Sequence, residues 1–233
     1  MAKYRIAEML IEIEGRFENT EHAYRDYLAV TEAPPDFCVS VSDGELAEAR
    51  AAFPDASPAY AERFAIFRRV AHEASKRGAI LLHAATVEVD GKAYAFCAPS
   101  GTGKSTHSSL WLKHIEGSEL LNDDNPVVRL DDGGATVYGS PWSGKTPCYK
   151  NDCVQIGAFV QIKQEPTNHI NRNLPLQAFA VLLPSMSTMK WDKRIYGGTC
   201  DSVGRLIERV PLYTLGCRPD QEAAEVCHAE VMK

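Results

Sequence analysis

The chain has 233 residues, with 31 acidic against 25 basic side chains for a formal charge of −6, and 45% of its residues are hydrophobic. That size buries a substantial core and predicts one domain over residues 1–233 with elaborated edges. The negative balance gives no general attraction to nucleic acid, no apolar run approaches the roughly 20 residues of a membrane span, and the charged start Met1-Ala-Lys-Tyr-Arg lacks a signal-peptide core, so a cytoplasmic protein with neither nucleic acid nor membrane as partner is expected. Seven cysteines, at 38, 97, 148, 153, 200, 217 and 227, show neither a CxxC pair nor zinc-finger spacing and read as separate reduced thiols.

Residues 1–78 read as peripheral strands and a helix. Ile11 and Ile13, then Phe37, Val39 and Val41, alternate with polar or small residues as strand positions do. From Ser57-Pro58 the apolar residues Phe64, Phe67, Val70, Ala71 and Ala74 fall on one helical stripe, with Gly78 as a stop signal. Arg63, Arg68, Arg69, Lys76 and Arg77 would be its solvated face.

A nucleotide-binding core is expected over 79–216. Ile80 to Val89 predicts a strand, Asp90-Gly91 a tight turn, and Ala93 to Cys97 a second strand. The second strand enters Ala98-Pro-Ser-Gly-Thr-Gly-Lys-Ser105, which has the spacing of a Walker A phosphate loop with Ala98 where glycine is usual. Gly101 and Gly103 let the backbone curl so that its N–H groups point inward, Lys104 supplies a cation on a flexible stem, and Ser105 would reach Mg²⁺. Thr106 to Lys113 predicts a short helix whose N-terminus faces the phosphates. Ser100, Gly101, Thr102, Gly103, Lys104, Ser105 and Thr106 are therefore the candidate contacts for ATP, with Mg²⁺ as the accompanying ion. A glycine-rich hairpin serving only as a turn is the competing reading, but a turn does not need the Gly-Lys-Ser-Thr run.

Leu120 to Asn125 reads as an apolar strand ending in paired carboxylates. Asp123 and Asp124 would place one carboxylate toward Mg²⁺ and the other toward a hydroxyl or water; because neighbours on a regular strand point oppositely, the strand must end or turn there. The alternative is an acidic surface turn of the kind Asp131-Asp-Gly-Gly134 shows. In Gly139-Ser-Pro-Trp-Ser-Gly-Lys145 the glycines permit close backbone approach and Lys145 is a candidate phosphate clamp, with a structural turn packed around Trp142 as the alternative. Val154 to Ile162 predicts a core strand, Asn168 and Arg172 a hydrated connection with entry into the phosphate site as the alternative, Thr199 to Val210 an amphipathic helix and Pro211 to Gly216 a final strand; residues 217–233 form a tail with a helix start after Pro219. His107 and His114 lack a surrounding ligand cluster, which favours packing or an accessory polar role over metal binding.

His83, Ala98-Pro-Ser-Gly-Thr-Gly-Lys-Ser-Thr106 and Asn122-Asp-Asp124, in this order and spacing, resemble the catalytic domain of HPr kinase/phosphorylase, a family related in its nucleotide core to ATP-dependent phosphoenolpyruvate carboxykinase. The resemblance is clear from about Leu81 to Leu130. It implies an α/β fold with a compact P-loop kinase core, mixed sheets and flanking helices, in place of the usual parallel-sheet arrangement. It also implies transfer of the ATP γ-phosphoryl to a serine or threonine of a peptide or small protein, with Asp123 as base, Asp124 and Ser105 on the metal, and His83 stabilising phosphoryl charge or moving a proton; exchange of the two aspartates stays open. The family's Glu-Ile-Arg-Gly-type signature is replaced here by the Gly139 to Lys145 segment, which leaves HPr itself and phosphorylase activity unsupported. Two other readings follow from the same residues: a small-organic-acid kinase or carboxykinase-like enzyme, and a nucleotide-responsive binding module with little turnover. Assembly into a homo-oligomer rests on the resemblance alone.

Overall fold

The computed structural model describes residues 1–131, 134–143, 148–187 and 193–233, without the side chains of Asp131 and of residues 193–195. Gly144 and Lys145, and the tip of the predicted acidic turn at Asp132 and Gly133, lie outside the described residues.

The alternation seen near the N-terminus builds a three-stranded sheet from β1 (Ala2–Ile6), β2 (Met9–Glu14) and β3 (Phe37–Ser40), in that spatial order. β1 and β2 are antiparallel, joined through Ala7 and Glu8 in left-handed backbone, and β2 pairs in parallel with β3. Between β2 and β3 lies the short helix α1 (Glu18–His22); after β3 come α2 (Asp43–Ala52) and α3 (Pro58–Ser75). Helix α2 is absent from the sequence expectations, although the reciprocal bonds between Ser42 and Glu45 at its start form a capping box that the residues Ser42-Asp-Gly-Glu45 spell out. Ser57 caps α3, whose apolar stripe, including Ile66, Val70 and Ala74, packs with Ile11, Ile13 and Val39 of the sheet. Glu62 is fully buried on α3 and accepts hydrogen bonds from the Arg16 amide (2.8 Å) and the Thr20 hydroxyl (2.6 Å), which tie the α1 region to the helix.

The larger sheet contains β4 (Ala79–Leu81), β5 (Ala84–Val89), β6 (Lys92–Cys97), β7 (Glu119–Asp124), β8 (Val127–Asp131), β9 (Gly134–Tyr138), β10 (Cys153–Gln164), β11 (His169–Arg172) and β12 (Leu212–Cys217). Its path runs β4-β8-β9-β10-β6-β5-β7, and β12, followed by β11, attaches to β10. β10 is the hub, parallel to β6 and to β12, while the other pairings in this sheet are antiparallel. The result is an α/β fold with a mixed sheet.

Period-two alternation along β6 explains why both sheet faces are covered. Ala93, Ala95 and Cys97 join a core with Phe159 and with α5 (Pro175–Leu182) and α6 (Lys193–Arg209), while Tyr94 and Phe96 join one with α4 (Lys104–His114) and α7 (Gln221–Val231). Among the described residues, no helix is long and apolar enough to cross a membrane.

One predicted strand is divided. The chain leaves β4, which pairs with β8, and enters β5, which pairs with β6 and β7; at the break the Leu82 amide donates to Pro126 O (3.0 Å) and the His83 amide to Ser185 O (2.7 Å). A continuous apolar run carries no periodic signal of a change in partners. The Asp90-Gly91 turn forms as expected, with φ of 52° and 72°.

Gly139 shows the closest backbone approach. Its amide donates to Asp152 O at 2.9 Å, and a Cβ there would lie 1.8 Å from Lys150 O. Gly139→Ala is expected to lower stability by about 3 kcal/mol through forced separation of these backbones; an unchanged thermal unfolding midpoint would contradict that packing.

Candidate active site

β6 delivers the chain into the loop of residues 98–103, and α4 starts at Lys104, two residues earlier than the sequence suggests. Gly101 has φ of 79° and Gly103 of 116°, conformations that favour glycine, whereas Ala98 is not among the positive-φ residues. The one departure from the loop pattern therefore falls where the backbone does not demand glycine. The Gln164 side chain at the end of β10 donates to Thr102 O at 3.1 Å and braces the loop. By helix geometry, the first-turn amides of α4 lack intrahelical acceptors and present donors to an anion.

Lys104 is buried at 8% exposure. Its ammonium donates to Ala98 O at 2.9 Å and to His83 Nε2 at 2.7 Å. Burial lowers the lysine pKa, with Asp124, Cys97 and Asp123 acting in the opposite sense. The His83 pKa is lowered as well, first by burial and then by the Lys104 charge, which favours a neutral ring. Acceptance from Lys104 through Nε2 assigns the remaining proton to Nδ1, which lies 3.7 Å from Asp124 Oδ1.

The Ser105 hydroxyl donates to Asp123 Oδ1 at 2.9 Å. Asp124, by contrast, neighbours His83, and its φ of 147° breaks the regular strand backbone. That break lets adjacent carboxylates serve one site instead of opposite sheet faces. Burial raises the Asp124 pKa; His83 and Lys104 oppose the shift, and Asp123 adds to it.

A polar lock holds this turn. Asn122, fully buried, donates through Nδ2 to Ser140 O (2.9 Å) and accepts through Oδ1 from the Asn125 amide (3.0 Å), while the Ser140 hydroxyl donates to Asn125 O (2.6 Å). Sequence reasoning took Asn122 as part of a motif and missed Ser140 and Gln164. The available signal was an asparagine, a poor strand former, placed inside an apolar strand.

The glycine loop lies between two cavities. One of about 670 Å³ is lined by Gly101, Thr102, Gly103, Thr106 and His107 together with the ends of β10 and β12. The other, about 550 Å³, is lined by His83, Pro99, Ser100, Gln161 and Ser185, among others. The structure thus brings His83, Lys104, Ser105, Asp123 and Asp124 together and distributes Ser100, Gly101, Thr102, Gly103 and Thr106 over the two cavity walls. Lys145 lies outside the described residues. Arg172 lies on β11, and Asn168 bonds to Asp220 and Glu222.

His107 packs edge-on to Phe96 and accepts from the Trp111 indole at 3.0 Å; burial lowers its pKa to about 4. Its buried Nδ1 has no partner among the described residues. These residues also contain no group of three or more His, Cys, Asp or Glu able to hold a metal by themselves. A divalent ion shared between Ser105, Asp123 and phosphate oxygens needs no such cage. The glycine curl, the buried lysine and the adjoining cavity fit a Mg²⁺–nucleoside triphosphate.

No protein-family model matches the chain, and no curated protein matches it. Among solved structures, it is similar to the Hpr(Ser) kinase/phosphatase from Coxiella burnetii, with 11% identity and a TM-score of 0.39 over 65% of this chain and 88% of that one. A likeness this weak assigns neither family nor activity.

The raised Asp124 pKa has a consequence for stability. A carboxyl that binds its proton more tightly when folded opposes folding as pH rises from the usual carboxylate range through its raised value. Asp124→Asn is therefore expected to raise the thermal unfolding midpoint at neutral pH, with the gain vanishing at about pH 3, where the unfolded carboxyl is also protonated. A lower midpoint at neutral pH would mean that attraction to His83 and Lys104 outweighs burial.

Proposed function

We propose that this protein is an ATP-dependent phosphotransferase acting on a serine or threonine hydroxyl of a peptide or small protein. The observation that carries the reading is the meeting of a buried lysine, a serine–aspartate pair and a histidine–aspartate pair beside one glycine loop. Lys104 and the first-turn amides of α4 neutralise phosphate oxygens; Ser105 and Asp123 hold Mg²⁺. ATP supplies the activated γ-phosphoryl group.

Asp124 accepts the acceptor's hydroxyl proton. The hydroxyl oxygen bonds to the γ-phosphorus, and the bond to the β–γ bridging oxygen breaks with its electron pair leaving on ADP. His83 orients Asp124 through Nδ1, and Lys104 offsets charge at the transferred group. This exchanges the aspartate roles that the sequence resemblance favours, because Ser105 already reaches Asp123 while Asp124 has the environment that raises its basicity. Lys145 is proposed on sequence alone as a second phosphate clamp.

The test is transfer of labelled γ-phosphate from ATP to a peptide and small-protein pool, read by mass spectrometry. Lys104→Ala is expected to lower transfer by about 100-fold or more. Asp123→Asn should recover partly at high Mg²⁺, whereas Asp124→Asn should remain inactive at every Mg²⁺ concentration while still binding ATP. Wild-type transfer by Asp124→Asn would overturn its assignment as base, and retained transfer by Lys104→Ala would overturn the function. Binding of ATP with no acceptor labelled would favour the binding-module reading, and labelling of an organic acid would replace the acceptor class.

A further inference from the structure

β7, which carries Asp123 and Asp124, ends the path of the large sheet and pairs with β5 on one side. The outer edge of an end strand presents backbone groups that need partners. Residues 142–143 and 148–150 supply them. The Asp123 amide donates to Cys148 O (3.0 Å), the Lys150 amide to Leu121 O (2.9 Å) and the Asn125 amide to Trp142 O (3.1 Å); antiparallel bridges join Asn122 to Tyr149 and Asp124 to Ser143. The backbone of the acidic pair is therefore held along both edges of its strand.

Both covering stretches are fastened to the N-terminal layer. Trp142 packs with Tyr24 and Phe67, ring centroids 6.1 and 5.7 Å away, and the Tyr149 ring lies 5.7 Å from that of Tyr27. At Tyr149 the fastening is polar as well. Its hydroxyl donates to Asp26 Oδ2 at 2.9 Å, and the Asn151 side chain donates to Asp26 O at 2.8 Å. Burial, and then the Asp26 carboxylate, push the Tyr149 pKa up to about 12, which keeps the phenol a donor. Asp26 is exposed and Tyr149 half-buried, so their bond removes little apolar surface from water; what it sets is where residues 148–150 lie against β7.

We propose that Asp26 and Tyr149 are positioning residues for the metal-binding carboxylate: the bond between them holds residues 148–150, and the bond from the Asp123 amide to Cys148 O holds the backbone from which Asp123 meets Ser105. The N-terminal layer, peripheral by its sequence, thereby reaches the site. Mg²⁺ demands near-ideal octahedral geometry whereas Ca²⁺ accepts looser arrangements, so a loosened ligand backbone weakens Mg²⁺ binding more than Ca²⁺ binding. The proposal rests on Ser105 and Asp123 as metal ligands, and one of its two readouts needs neither metal nor turnover.

The variants are Tyr149→Phe, which keeps the ring and deletes the hydroxyl, Asp26→Ala, their combination, and Asp26→Asn, which keeps an acceptor oxygen. Amide hydrogen exchange read by NMR on the metal-free chain should be faster at Asp123 in Tyr149→Phe and in Asp26→Ala, with the amides of β10 unchanged. Titration of Mg²⁺ in the presence of ATP should show affinity lowered about fivefold in each, the scale of one net hydrogen bond, and Ca²⁺ affinity lowered less. The double variant should be no weaker than either single one, because both delete the same bond, and Asp26→Asn should stay near wild type. Unchanged exchange at Asp123, or faster exchange throughout the chain with Mg²⁺ and Ca²⁺ weakened alike, would overturn the proposal; loss of Mg²⁺ binding in Asp123→Asn would then leave the metal reading standing. Faster exchange at Asp123 with unchanged Mg²⁺ affinity, or no Mg²⁺ binding by the wild type, would overturn both.

Discussion

The site depends on a buried ammonium group. Lys104 sits at the start of α4 with little solvent to stabilise its charge, so its Nζ must find acceptors inside the protein. It finds Ala98 O at the mouth of the glycine loop and Nε2 of His83 on the connection between two strands. The first bond closes the loop on itself. The second fixes which nitrogen of His83 faces Asp124. Loop shape, histidine tautomer and carboxylate environment are thereby coupled through one cation.

The same cation accounts for the opposed tendencies of its neighbours. Burial raises the affinity of Asp124 for its proton, while the histidine and the nearby ammonium counteract it; Asp123, on the side of Ser105, adds repulsion. Two adjacent carboxylates thus acquire different surroundings although they are consecutive residues. Differences of environment are what push the proton affinities of paired acids apart. The polar lock of Asn122, Ser140 and Asn125 keeps the unusual backbone at Asp124 from relaxing back to a regular strand.

Around this centre the sheet provides rigidity without symmetry. β6 and β10 run in parallel into the site and are covered on both faces, so the glycine loop leaves a packed strand and is braced from a second one through Gln164. The loop thus stands between two cavities, one on each side.

The local elements were legible where their signal was local. The turn at Asp90-Gly91, the glycines of the loop, the helix begun by Ser57-Pro58 and the strand of Val154 to Ile162 each follow from backbone conformations or side-chain periods that a few neighbouring residues impose. The Ser42 to Glu45 capping box was equally local and went unread, because α2 behind it lacks a strong apolar stripe. His83, Lys104, Ser105, Asp123 and Asp124 could be singled out as a set from sequence order and spacing. Which aspartate meets Ser105 and which meets His83 could not, because residues 123 and 124 are adjacent and only the backbone turn at Asp124, held by Asn122 from within the strand and by Ser140 from a different segment, separates their environments. The division of Ile80 to Val89 into two strands, the bond from Tyr149 to Asp26 and the two cavities were likewise decided by tertiary pairing, since hydrogen bonds and contacts between residues far apart in the chain leave no periodic trace in it.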